Sequence, residues 1–94
     1  MKQLAVKIVT PQGEQKSLVC DSLRLSVADN ANERGGGSYG IRPGHVDMLF
    51  ALEEGELSAL LAGKLVLEGR CGNGFATVEK NVVTVVAEFF ETKI

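Results

Sequence analysis

The sequence contains no tryptophan, one tyrosine and four phenylalanines. With aromatics at 5% of residues, a core has to be assembled from Val, Leu, Ile and Ala. Long apolar runs are also missing: none approaches the ~20 residues that a bilayer-crossing helix needs. Met1-Lys2-Gln3 opens no signal-peptide hydrophobic region, so the chain is expected in the cytosol or on the cytosolic face of a membrane. Positive charge is not in surplus. A formal net charge of -2 removes the electrostatic footprint of a nucleic-acid or anionic-membrane binder. Cysteine is scarce, and Cys20 and Cys71 lack CxxC spacing, so the expectation is two free, partly buried thiols. Histidine occurs once. His45 alone gives a thiol one base and a metal one imidazole, so no catalytic, cofactor or metal residue is assigned.

What remains is an ordinary folded composition, 45% hydrophobic and 23% charged over 94 residues. That length fits one domain with a modest core. Residues 4–9 alternate Leu4, Val6 and Ile8 against Ala5 and Lys7, the pattern of a strand with one buried face. Thr10-Pro11-Gln12-Gly13 reads as a turn. Strands are expected from Glu14 to Cys20 and from Ser22 to Val27, paired antiparallel. Ala28 to Ser38 is polar, Gly-rich and without periodicity, hence an exposed mobile loop with its tip at Gly35-Gly36-Gly37. Tyr39–Arg42 reads as a short strand ended by Pro43-Gly44, the pair a type II turn prefers at its centre.

The segment from Val46 to Ala62 admits two readings. Val46, Leu49, Phe50, Leu57, Leu60 and Leu61 fit a helical face, yet Glu53-Glu54-Gly55-Glu56 has turn composition and the neighbouring segments are strand-like. Two strands around that turn agree better with the rest. Further on, Ala62-Gly63-Lys64 is a turn, Leu65–Glu68 a strand and Gly69–Asn73 a break. Phe75–Glu79 and Val82–Ala87 flank Lys80-Asn81 as a hairpin. Short strands at regular spacing indicate an all-β sandwich or barrel over residues 1–88. Residues 89–94 are a tail too short to add a layer.

Apparent motifs lose to plainer readings. Gly35, Gly37 and Gly40 satisfy GxGxxG, but Pro43-Gly44 stops the helix that a dinucleotide fingerprint requires. At Gly63-Lys64, Leu65 stands where a phosphate loop needs Ser or Thr. Asp29 to Glu33 lacks the glycine and ligand pattern of a calcium loop. The richest stretch is Ser38-Tyr39-Gly40-Ile41-Arg42-Pro43-Gly44-His45, which gathers the one tyrosine and the one histidine. Residues alone support a small all-β binding module.

Four blocks add a resemblance: Asp21–Leu25, Gly40–His45, Ala51–Leu57, and Gly74–Glu79 continuing through Val83–Glu88. In this order and spacing the sequence resembles the N-terminal domain of the epsilon subunit of rotary F-type ATP synthases (delta in mitochondria), from about Leu4 to Glu88. The resemblance implies a flattened β-sandwich of about ten short, mostly antiparallel strands, which removes the helical reading of residues 46–62. It implies a non-catalytic central-stalk subunit without cofactor, packed on the gamma subunit and resting on the membrane rotor ring of c subunits, where it helps couple ion flow to ATP synthesis. Ser38, Tyr39, Gly40, Ile41, Arg42 and His45 become the candidate ring contacts. The implied place is peripheral, on the cytoplasmic face of the bacterial inner membrane, without direct insertion.

The sequence departs from the family pattern in places. Arg42 stands where an apolar residue is usual, Val46-Asp47 where Ala-Pro is usual, and Asn73 interrupts a common Gly-Gly-Phe. The family's C-terminal helical hairpin, with its inhibitory extension and ATP-binding motif, has no counterpart after Phe89. A naturally short form and a shortened chain both fit. A stand-alone β-sandwich binding or regulatory module is the alternative function, since fold does not fix function.

Overall fold

A computed structural model describes residues 2–27 and 37–93. The stretch read as the Gly-rich loop, residues 28–36, lies outside the described residues. The described part holds nine strands and no helix: β1 (Leu4–Thr10), β2 (Gly13–Cys20), β3 (Ser22–Val27), β4 (Gly37–Ile41), β5 (Met48–Leu61), β6 (Lys64–Cys71), β7 (Gly74–Glu79), β8 (Val82–Ala87) and β9 (Phe90–Thr92). The all-β expectation therefore holds, and extents of 36 × 28 × 21 Å make the body flattened.

Alternation builds the layers. In β1, Leu4, Val6, Ile8 and Thr10 are buried while Ala5 and Lys7 face solvent, and β8 buries Val83, Val85 and Ala87 on the same side. The strand order is β2-β1-β8-β7-β5-β3-β4, with β6 paired to β5 and β9 to β6. All pairings are antiparallel except β1 with β8. Between the layers lie aliphatic side chains, chiefly Leu, Val, Ile and Ala, plus Cys20 and Cys71. Tyr39, Phe50 and Phe90 pack only at the margin of this core, as the shortage of aromatics requires.

One strand belongs to both layers. The first part of β5 pairs with β7, Met48↔Val78 through Leu52↔Gly74, and the second with β6, Gly55↔Cys71 through Leu61↔Lys64. Glu53–Glu56 is thus no turn: the backbone stays extended and bends from one layer into the other. Its register with β3 jumps from Leu25↔Leu57 to Val27↔Leu52 across that bend. A bend that keeps strand geometry needs no reversal, so the Glu-Glu-Gly-Glu composition mimics turn chemistry without making one. At the bend Glu54 N–H donates to Asn73 Oδ1 at 2.8 Å, and the Asn73 carbonyl accepts Glu88 N–H at 3.0 Å. Asn73 therefore ties the bend to the end of β8, and β6 itself runs on to Cys71 through most of the expected break.

The C-terminal tail supplies a strand rather than a loose end. β9 pairs Gly69↔Thr92, Arg70↔Glu91 and Cys71↔Phe90, and Lys93 N–H donates to the Glu68 carbonyl at 2.7 Å. Lys93 Nζ also meets Glu56 Oε2 at 2.6 Å. This exposed contact holds the Glu56 carboxyl below its usual range and raises the Lys93 ammonium. Tight connections close the chain elsewhere. Ala62 (φ 52°) and Gly63 (φ 79°) reverse β5 into β6, with Ala62 N–H donated to Asp21 Oδ2 at 3.0 Å.

Gly55 is where the bend passes closest to β3. A Cβ at this position would overlap Ser26 Oγ and lie 2.8 Å from Ser26 Cβ. Gly55→Ala is expected to lower unfolding free energy by about 1–3 kcal/mol, as overpacking does. Ser26→Gly in the same chain should recover part of that loss in urea unfolding; additive losses would show that the bend does not depend on this contact.

Candidate partner-binding surface

The sequence-predicted site gathers where β4 runs into a four-residue turn. His45 N–H donates to the Arg42 carbonyl at 3.1 Å, and Gly44 adopts φ 88°, the conformation required of the third residue in a type II turn. Pro43 presets the second. The turn is locked to the β7–β8 hairpin: Gly44 N–H donates to Asn81 Oδ1 at 2.8 Å, and Lys80 N–H to Asp47 Oδ1 at 3.0 Å. Lys80 (φ 49°) and Asn81 (φ 67°) form a two-residue hairpin turn, in which asparagine tolerates the left-handed backbone well. The Asn81 carbonyl also accepts Ala5 N–H at 2.9 Å, so one residue joins the turn, the hairpin and β1.

Tyr39 and His45 form a pair beneath this turn. His45 Nδ1 lies 2.8 Å from the Val46 carbonyl, which only accepts, so Nδ1 carries the hydrogen. Nε2, on the other side of the ring, lies 2.9 Å from Tyr39 Oη, within hydrogen-bond distance. The Tyr39 ring meets His45 edge-on, centroids 5.7 Å apart, and leans on Phe50 at 5.2 Å. Both residues are half-buried.

The six candidate contacts therefore divide. Ser38, Gly40 and Arg42 face solvent. Ile41 is fully buried, so its side chain anchors the strand in the core. Tyr39 and His45 shape the turn from below. The Asp47 and Asn81 clamp was not anticipated from sequence, since a contact between residues so far apart in the chain leaves no local signal.

A second surface was also missed. On the outer side of the β1–β8–β7–β5 layer, Ala51, Phe75, Val86 and Val9 are direct cross-strand neighbours in one row. Leu49, Thr77, Thr84 and Lys7 form the next row, and Glu79, Val82, Ala5 and Val19 lie in a third. Leu49 is 65% exposed, Val82 47% and Phe75 45%. Two open depressions of about 500 and 350 Å³ meet at Phe75. Apolar residues on both parities of β5, β7 and β8 were the available signal, because a strand covered on both faces loses its alternation. The other layer's outer side is mixed: Arg24, Ser38, Ser58, Glu68 and Arg70 are polar, Leu60, Leu65 and Val66 are exposed near the β5–β6 turn, and Arg70 Nη2 pairs with Glu54 Oε2 at 3.1 Å.

No group of three or more His, Cys, Asp or Glu among the described residues could hold a metal. Among the described residues no helix is long and apolar enough to cross a membrane. Burial raises both thiols above the ordinary cysteine range, and Cys20 and Cys71 are free and enclosed. They should react with a thiol reagent only as the chain unfolds, with a rate that follows denaturant concentration; fast labelling of the native chain would contradict this burial. Asn81→Ala removes the acceptor for Gly44 and strains the left-handed backbone, and should cost about 2–3 kcal/mol. Asn81→Gly removes only the acceptor and should cost about 1 kcal/mol; the reverse order in urea unfolding would refute the clamp.

Residues 3–93 match the family model described as ATP synthase, Delta/Epsilon chain, beta-sandwich domain. No curated protein matches the sequence. Among solved structures, a chain of the Euglena gracilis mitochondrial ATP synthase (OSCP/F1/c-ring) is similar with TM-score 0.78 and 18% identity, over 98% of this chain and 56% of that one. A chain of the Tetrahymena thermophila mitochondrial ATP synthase central stalk and c-ring is similar with TM-score 0.64 and 17% identity, over 96% of this chain and 66% of that one. The chain thus spans between about half and two thirds of these neighbours, and at such identities the likeness is one of fold. With the family model covering nearly its whole length, the chain belongs to the β-sandwich domain family of ATP synthase delta/epsilon chains.

Proposed function

We propose that the chain serves as a non-catalytic central-stalk subunit of a rotary ATP synthase and helps couple ion translocation to ATP synthesis and hydrolysis. The observation that carries this reading is the apolar outer sheet face running through Ala51, Phe75, Val86 and Val9, within a domain of the delta/epsilon family. A solvent-facing sheet normally presents polar residues on its outer side, and an exposed apolar patch marks a surface meant for another protein. That face packs on the gamma subunit. The end formed by Ser38, Tyr39, Gly40, Ile41, Arg42 and His45 meets the membrane rotor ring of c subunits. Two surfaces of different character suit one subunit held between two partners: an apolar face for a lasting contact and a polar end for a second, wetter one.

The assignment supplies no catalytic step. The Tyr39–His45 pair serves the turn beneath Pro43-Gly44. The proposed place is peripheral, on the membrane face that carries the catalytic head, which in a bacterium is the cytoplasmic face of the inner membrane.

Mixing with the cognate gamma subunit tests the reading. The wild-type chain should co-elute with gamma on a sizing column, and Leu49→Glu with Phe75→Glu should weaken that binding at least about 30-fold, since buried aromatic anchors carry ~2 kcal/mol or more each. Arg42→Glu should leave gamma binding intact while loosening ATP-driven ion pumping in the reassembled enzyme. Unchanged gamma binding by the double variant would remove the sheet face from the assignment.

A further inference from the structure

Three strands end the hydrogen-bonded network among the described residues: β2, β4 and β9. A strand at an edge exposes unpaired N–H and C=O groups, and proteins keep such edges from recruiting another chain with charges, bulges, proline or shortness. β2 carries Glu14 and Lys16, with Glu14 paired to Lys7 and a register shift at Ile8/Val9 opposite it. β9 is three residues long, contains Glu91 and is followed by Lys93. β4 has no such protection within the strand itself; Arg42 and Pro43 follow only past its end. Its five residues, Gly-Ser-Tyr-Gly-Ile, carry no charge or proline and run in unbroken register against β3 from Val27↔Gly37 to Leu23↔Ile41.

Charge gathers beside this bare edge from the neighbouring strand. Arg24 Nη1 donates to Ser38 Oγ at 3.1 Å. Its Nη2 lies 3.9 Å from where a Gly40 Cβ would stand, so the guanidinium extends across β4 on its solvent side. Arg42 follows the strand directly and is exposed. The ion pairs of the described residues join Lys7 to Glu14, Arg70 to Glu54 and Lys93 to Glu56, so neither arginine pairs with a carboxylate among the described residues. On the opposite side of β4, Tyr39 rests on Phe50 and offers an apolar margin.

We propose that β4 is a strand-addition site for an extended, acidic segment of a partner protein. The incoming segment pairs its backbone with the free edge of β4. Its alternate side chains divide between the two faces: carboxylates reach Arg24 and Arg42, and small apolar groups lie against the Tyr39 margin. Main-chain pairing supplies affinity without sequence demand, and the guanidinium–carboxylate contacts supply register and selectivity. The proposal deepens the ring-contact reading and rests on it only in taking this end as partner-facing; the gamma-facing sheet is not involved.

Three synthetic peptides test it: an octapeptide alternating Glu and Val, its Lys-Val counterpart, and the Glu-Val peptide with every second backbone nitrogen methylated. Backbone amide shifts and hydrogen exchange of the labelled chain report the site. The Glu-Val peptide should shift residues 38–42 and slow exchange of β4 amides. The Lys-Val and methylated peptides should bind at least about tenfold more weakly. Arg24→Glu with Arg42→Glu should reverse the preference toward Lys-Val, while the remaining amide shifts show an intact fold and gamma still co-elutes. No Glu-Val binding, equal binding of the methylated peptide, or shifts confined to the Leu49–Phe75 face would each overturn strand addition. Loss of gamma binding by Leu49→Glu with Phe75→Glu stands apart from all of these outcomes.

Discussion

At Glu53–Glu56 one strand has to leave the first layer of the sandwich and enter the second without breaking its extended backbone, and everything else in the fold depends on that passage. β5 supplies a hydrogen-bonding edge to β3, β6 and β7, so the two layers share a spine instead of meeting only through side chains. Sharing a spine helps a body with so few rings in its core. Leu52, Leu57 and Ala59, all on β5, bury their side chains in the same cluster from either side of the bend. Gly55 allows the bend to pass Ser26, and Asn73 holds it from the other side through Glu54 N–H.

Because β5 turns between layers, the outer surfaces of those layers face different directions, and they differ chemically. Over β1, β8, β7 and the first half of β5 the outward residues are mostly Ala, Val, Thr, Leu and Phe. Over the second half they include Glu56, Ser58, Glu68 and Arg70. Exposed ion pairs such as Arg70–Glu54 contribute little to stability, so the polar side is better understood as a surface kept wet. The apolar side costs solubility and brings the isolated domain nothing in return, which is the physical ground for giving it a partner.

Much of this was legible in the strands and little of it in their relations. β1, β3, β7 and β8 could be read from alternation and β-branched runs, and the Thr10–Gly13, Pro43-Gly44 and Lys80-Asn81 reversals from turn chemistry. The bend at Gly55 could not, because Glu-Glu-Gly-Glu looks the same whether the chain reverses or merely changes layer. β9 could not either, since three residues carry no periodicity and its pairing with β6 is a tertiary event. Within the site, local sequence pointed to Tyr39 and His45 as unusual, but their purpose appears only when Val46, Phe50 and Met48 surround them. Among the candidate contacts, Ile41 alternates inward because it shares with Tyr39 a parity opposite to that of Ser38 and Gly40.

That parity also explains how the end of the body can present a rigid edge on so small a domain. Ile41 at 0% exposure fixes β4 from inside, the Pro43-Gly44 turn fixes its downstream end, and Asn81 couples that turn to β1 and to the β7–β8 hairpin. A strand held in this way loses little further conformational freedom when a partner segment pairs with it, whereas an unrestrained loop of the same composition would have to be ordered first. Glycine at position 40 puts no side chain beside the Arg24 guanidinium on the solvent side of β4. The features that make β4 a poorly protected edge are the same ones that make it a prepared one, and that is the physical reason to look for the partner of this domain at its strand edge as well as on its apolar face.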